Sequence, residues 1–271
     1  MSSLRRDWPN TLYGGRSRWL FIIPSLLLAL LFGLPILALA VRAAGSDFFA
    51  AISAPSALQA LRLSLVTSVL SLCATLVFGT PLAYLLARLK FPLQPWLETL
   101  IDLPIVLPPS VAGLSLLMAF GRSGLFGPLL GVLHIQLPFT TAAVIIAQTF
   151  VSSPLYVRAA RIGFAEIDIQ MEEAAIVEGA NQWQLFREVM FPLAGNAVVS
   201  GAILCWARAL GEFGATILFA GNLEGVTQTM PLAVYIGLEK SLPIAIALSV
   251  MLVLVSVVLL AGTRRFEKSP H

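Results

Sequence analysis

Charge is what this sequence has least of. Asp, Glu, Lys and Arg make up 11% of its 271 residues, against 58% hydrophobic residues and a mean hydropathy of +0.89. A soluble domain carries roughly 25% charged residues, so a chain this poor in charge is an integral membrane protein. Histidine is nearly missing too, with only His134 and His271. A membrane-embedded enzyme or a metal centre needs a clustered His, Asp or Cys constellation, and the sequence offers none. Cys73 and Cys205 lie far apart in apolar stretches and read as small core residues, so neither a metal site nor a redox compartment follows from them. There is no phosphate-binding loop of the Walker type, which excludes ATP hydrolysis by this chain itself. The net charge of +3 sits mainly in loops and speaks about orientation, not about nucleic acid.

What the sequence does have is long uncharged stretches. An N-terminal arm, residues 1–18, carries Arg5, Arg6, Arg16 and Arg18 against a single Asp7. The uncharged run 19–41 follows, 23 residues in all. At 1.5 Å per residue it measures about 34 Å as a helix, enough to cross the hydrocarbon core. Ala38-Leu39-Ala40 resembles a signal-peptidase site, but the run exceeds the roughly 7–15 apolar residues of a signal peptide, so a retained first span is expected. Further spans are expected at 63–87, 100–121, 139–157, 193–209 and 241–263, with a tail, 264–271, too short for a domain. The expected fold is all-α, with six transmembrane helices. Residues 42–62, 122–138 and 221–240 read as connections. Pro104, Pro108 and Pro109 near the start of the third span interrupt regular hydrogen bonding. Broken backbone at membrane depth lines a cavity or is covered by protein, so Pro108, Pro109 and Ser110 are candidates for a pathway.

Alternate loops differ in Lys and Arg content. Twelve fall in the N-terminal arm, the 88–90 loop, the central loop and the tail, against four on the other side. The rich side is cytoplasmic by the positive-inside rule. Both termini and the central loop are therefore expected in the cytoplasm.

That central loop, 158–192, is polar and partly acidic. It reads as two short helices around Gly179, which takes a positive φ at little cost. Asn181 is placed to cap the second helix, with Gln184 three residues on in a capping-box arrangement. A cytoplasmic loop of this kind between spans suits docking of a soluble partner; an ordinary amphipathic surface helix explains the pattern equally well.

Glu173-Ala174-Ala175, then Gly179, then Val189-Met190-Phe191-Pro192 resembles the EAA loop of type I ABC importer permeases, over about residues 57–262. The family pattern usually has Ile where Val189 stands and Leu where Phe191 stands; both changes stay apolar. Leu107-Pro108-Pro109-Ser110, Gly121-Arg122-Ser123-Gly124 and Arg208-Ala209-Leu210-Gly211-Glu212-Phe213-Gly214-Ala215 resemble the molybdate and sulfate branch, and the molybdate permeases most. The resemblance implies a homodimer in the inner (plasma) membrane, with two ATPase subunits beneath and an extracytoplasmic oxyanion-binding protein outside. It implies that Glu172, Glu173, Ala174, Ala175, Gly179, Ala180, Asn181 and Pro192, in the 168–192 stretch, dock the ATPase. ATP and Mg would belong to that ATPase, leaving this chain without a cofactor, metal or catalytic residue of its own.

Arg208 and Glu212 allow two readings. Charges inside a span cost roughly 2.5–3.5 kcal/mol each and find partners. At i, i+4 the two can neutralise each other on one helix face. Alternatively Arg208 supplies positive potential along an anion path, helped by the Gly211 and Gly214 backbone, with Thr216 beyond. Sulfate and tungstate remain alternatives to molybdate. A secondary transporter driven by an ion gradient would need no ATPase and usually shows repeated spans, which are not evident here.

Overall fold

The computed structural model describes residues 17–44 and 48–266, and no β-strand occurs among them. α1 (Ser17–Ala44) and the short α2 (Phe48–Ile52) lead into α3 (Pro55–Arg88). α4 (Gln94–Val106) and α5 (Pro109–Phe120) follow, and a short α6 (Gly127–Val132) precedes α7 (Thr141–Ala165). The polar loop holds α8 (Ile169–Val177), α9 (Gln182–Gln184), a π-helical turn at Leu185–Met190 and α10 (Phe191–Leu193). Then come α11 (Gly195–Leu210), α12 (Gly214–Phe219), α13 (Met230–Lys240) and α14 (Leu242–Phe266).

α7 is the central helix, packed on α3 and on α11. Half of its apolar stretch is buried inside the protein, against none of α1, which lies at the edge against α14. The reason lies in residue size. In lipid there is no hydrophobic gain from bringing apolar helices together, so close backbone approach and hydrogen bonds must do it. The buried face of α3 carries Ala57, Ala60, Ser64, Ser68, Ser71, Thr75, Gly79 and Ala83, small residues at helical spacing. Its hydroxyls bond to neighbouring elements: Ser68 Oγ accepts from Trp206 Nε1 at 3.0 Å, Ser71 Oγ from Thr149 Oγ1 at 3.0 Å, and Ser64 Oγ from the Met230 N–H at 2.7 Å. On α7, a Cβ at Gly163 would come within 2.4 Å of that of Ala197, so the contact with α11 requires glycine there.

Among the described residues, Trp19–Ala44, Pro55–Arg88 and Thr141–Ala165 are each long and apolar enough to cross a membrane. Gln182–Leu193 and Gly195–Leu210 meet that test together, bent by 73° at their junction. Pro109–Phe120 and Leu242–Val258 are shorter apolar helices.

Several boundaries differ from those read in the sequence. The central loop does not begin at 158, because α7 continues to Ala165. Arg158 and Arg161 sit on that helix and pair with Asp102 and Glu98 of α4, at 3.2 and 2.9 Å. Their charge reads as loop in one dimension but is answered across the helix pair. Helix in the region of the expected third span starts earlier, at Gln94, and breaks at Leu107 and Pro108. Residues 221–240 are not a plain connection, since α13 occupies half of them. Arg42 and Arg62 belong to α1 and α3, not to a loop between them. Cys205 is buried, but Cys73 is exposed, turned away from the small-residue face of α3. Residues 1–16 of the expected N-terminal arm and residues 267–271 of the expected tail lie outside the described residues.

Candidate functional site

α8 starts at an N-cap, Asp168, whose Oδ1 accepts the Gln170 N–H at 3.0 Å. It ends in a paired closure: the Ala180 N–H bonds to the Ala175 carbonyl and the Gly179 N–H to the Ile176 carbonyl, both at 3.0 Å. This is a Schellman arrangement, and it places Gly179 at φ +92°, a left-handed conformation that favours glycine. Two residues on, Asn181 Oδ1 accepts the Gln184 N–H while Gln184 Oε1 accepts the Asn181 N–H, each at 2.9 Å, forming the capping box. The chain then passes through the π-helical turn and the exposed Pro192 into α11.

No residue of α8 is buried. Ile169, Met171, Ile176 and Val177 are exposed apolar side chains, Val177 at 87%. α8 is thus capped at both ends and presents apolar side chains that this chain leaves exposed. Glu173 and Ala174 are exposed with them, whereas Glu172 and Ala175 are half-buried on the opposite side. Glu172 is turned inward onto Arg88, at 2.6 Å. Nothing in the residue types distinguishes the two adjacent glutamates; only their places on a helical wheel separate them.

The second group of sequence candidates forms where two helix breaks meet. Pro109 opens α5 and Gly214 opens α12, and a Cβ on Gly214 would lie 2.3 Å from that of Pro109. Pro108, Pro109 and Ser110 are exposed beside this contact, and Thr216 is buried on α12. Arg208 Nη1 donates to Glu212 Oε2 at 2.7 Å, and Glu212 Oε1 accepts the Ala215 N–H at 2.8 Å. The pair does not share one helix face: α11 stops at Leu210, and Glu212 lies in the turn beyond Gly211. Glu212 is 1% exposed, so its carboxylate is a buried bracket joining the end of α11 to the start of α12. The pair is locally neutral, which favours the structural reading over a free positive charge. Gly211 has room for a side chain, since a Cβ there would come no closer than 3.8 Å to another atom, so packing does not explain it.

At the end of α7 opposite the polar loop, a cavity of about 690 Å³ is lined by Arg122, Ser123, Gln136 and Thr140 among others. Arg122 Nη2 donates to Gln136 Oε1 at 3.1 Å. Among the described residues, no group of three or more His, Cys, Asp or Glu side chains is arranged to hold a metal ion.

Known proteins share both the sequence and the fold. Residues 79–270 match the family described as binding-protein-dependent transport system inner membrane component. The molybdenum transport system permease protein ModB of Mycobacterium tuberculosis is 40% identical over 245 residues, covering 90% of this chain and 92% of that protein. The protein of the same description from Escherichia coli is 38% identical, covering 73% of this chain and 91% of that one. Among solved structures, a bacterial alginate ABC transporter in complex with an alginate pentasaccharide-bound periplasmic protein aligns with a TM-score of 0.74 at 16% identity. That alignment covers 96% of this chain and 99% of the other, and it speaks for the fold. The chain belongs to the binding-protein-dependent transport system inner membrane components, the permease family of ABC importers.

Proposed function

We propose that this chain is the membrane-spanning subunit of an ATP-driven importer for a tetrahedral oxyanion, molybdate first. The observation that carries the substrate is the 40% identity to a molybdenum permease over nine-tenths of the chain. Six spans follow if α4 and α5 count as one broken span, beside α1, α3, α7, α11 and α14. The excess of Lys and Arg supports a cytoplasmic position for both termini and the α8 loop.

In this reading α8, with Glu173, Ala174 and the Gly179 turn, seats in a cleft of a separate ATPase. ATP and Mg are held there and not by this chain. Two copies of the chain face each other above two ATPase subunits, and an oxyanion-binding protein docks on the far side. ATP must bind one global arrangement more tightly than the other, or access does not switch. The apposed breaks at Pro108–Ser110 and Arg208–Thr216 lie on the path between the halves. Irregular backbone at membrane depth is tolerated where it lines a cavity, which suits that placement.

The test is molybdenum accumulation in cells lacking the chain and in complemented cells, at limiting external molybdate. The expected result is loss and restoration of accumulation, with equimolar tungstate competing and a large excess of sulfate not. Competition by equimolar sulfate would move the assignment to the sulfate branch.

A further inference from the structure

A nine-residue helix with no buried residue has little to hold it in place. The inward face of α8 is Glu172 and Ala175, one turn apart, and Ala175 only touches the apolar cluster below it. The firmer grip comes from one side chain of another helix. Arg88, the last residue of α3, places Nη2 2.6 Å from Glu172 Oε1. The same nitrogen donates to the Ile167 carbonyl at 2.9 Å, just ahead of the Asp168 cap. One guanidinium thus holds α8 at its first turn and the chain leading into it.

The surroundings strengthen this contact. The two side chains are 17% and 16% exposed. Tyr84, one turn before Arg88, packs edge-on against Phe164 and Phe186, with ring centres 5.5 and 5.2 Å away. This apolar platform limits water beside the ion pair, so the attraction is stronger than at an open surface. Nη2 alone makes both contacts, and the always-charged guanidinium keeps the pair ionised in this half-buried place. α3 in turn runs the depth of the bundle against α7 and α11.

We propose that Arg88 and Glu172 form the clamp that passes displacement of α8 to α3. Glu172 is then an internal positioning residue, and Glu173 beside it is left for the partner. The inference rests on the reading of α8 as the ATPase-docking helix, and it assigns the transmitting contact within that reading.

The experiment uses the complete complex, chain plus ATPase plus binding protein, in proteoliposomes. Two quantities are read: ATPase recovered per tagged chain, and labelled molybdate moved per ATP hydrolysed. Arg88→Gln and Glu172→Gln should each lower the transport ratio about fivefold, the small end of ordinary coupling between sites. Glu172→Gln should still recover the ATPase. Because the two act as a pair, the double variant should be no worse than either single one. Arg88→Lys should give an intermediate ratio, since an ammonium keeps the charge but is a compact, strongly hydrated point on a flexible stem. Should Arg88→Gln fold poorly, Glu172→Gln and Arg88→Lys still decide. A parental ratio in Glu172→Gln and Arg88→Gln, or loss of the ATPase in Glu172→Gln, would overturn the clamp while leaving the transport reading intact. A parent complex that hydrolyses ATP but moves neither molybdate, tungstate nor sulfate would overturn both.

Discussion

Gly179→Val should strip most of the ATPase from the purified chain. Gly179 stands at φ +92° with no atom within 4 Å of where a Cβ would lie. A new side chain therefore meets no steric obstacle, and the backbone conformation alone decides the effect. An L-residue in left-handed backbone costs about 1–2 kcal/mol, and a β-branched one more. One or two kcal/mol is a factor of about 5–30 in a two-state population. The Schellman closure would open, α8 would end differently, and the docking face would be misaligned with the capping box that follows. ATPase recovery should fall in the order Gly, Asn, Ala, Val, because Asn visits the left-handed region more readily than Ala. The valine variant should recover less than about a tenth of the parental amount. Tagged purification in mild detergent, with the ATPase quantified per chain, reads this series. Equal recovery across all four would mean that this turn does not position the docking surface.

Arg208→Gln should be among the most destabilising single changes in the bundle. Glu212 is 1% exposed, and its carboxylate is answered by Arg208 and by the Ala215 N–H. Removing the cation leaves a buried negative charge with one amide for company. Breaking a buried pair in this way costs about 3–5 kcal/mol. Arg208 is itself 36% exposed, which lets water soften the loss, so about 2–3 kcal/mol is expected here. That corresponds to a lowering of the unfolding midpoint by about 4–12 °C in detergent. The double change Arg208→Gln, Glu212→Gln removes both charges and keeps an oxygen to accept from Ala215. It should regain most of the loss, because an uncharged pair carries no stranded ion. If Arg208→Gln alone keeps parental stability but abolishes uptake, Glu212 is no bracket and the anion-path reading of Arg208 takes its place.

These two sites differ in how far one dimension reaches. The Gly179 turn and the Asn181–Gln184 box are local, with every partner within five residues, and the residue types alone specify them. The proline-rich break before α5 is legible for the same reason, because Pro108 and Pro109 act on their own backbone. Contacts across the bundle are different. Arg158 and Arg161 look like loop charges until Asp102 and Glu98 are seen across from them. Arg88 and Glu172 are more than eighty positions apart, and only the return of α7 to the end of the bundle where α3 stops brings them together. The bend into α11 falls between Leu193 and Gly195, and the π-helical turn at Leu185–Met190 ahead of it has no plain marker in the sequence either. The i, i+4 spacing puts Glu212 on the face of a helix that in fact ends two residues before it, since helix ends are the least visible feature of an apolar run.

Whether a partner ATPase, working through the α8 loop, drives oxyanion movement through this chain is tested most directly by one measurement. It is uptake of labelled molybdate into proteoliposomes, with ATP supplied on the face that carries α8. Accumulation is expected only when the chain, the ATPase, the binding protein on the opposite face and hydrolysable ATP are all present. Accumulation by the purified chain alone under an ion gradient, without the ATPase, would contradict it.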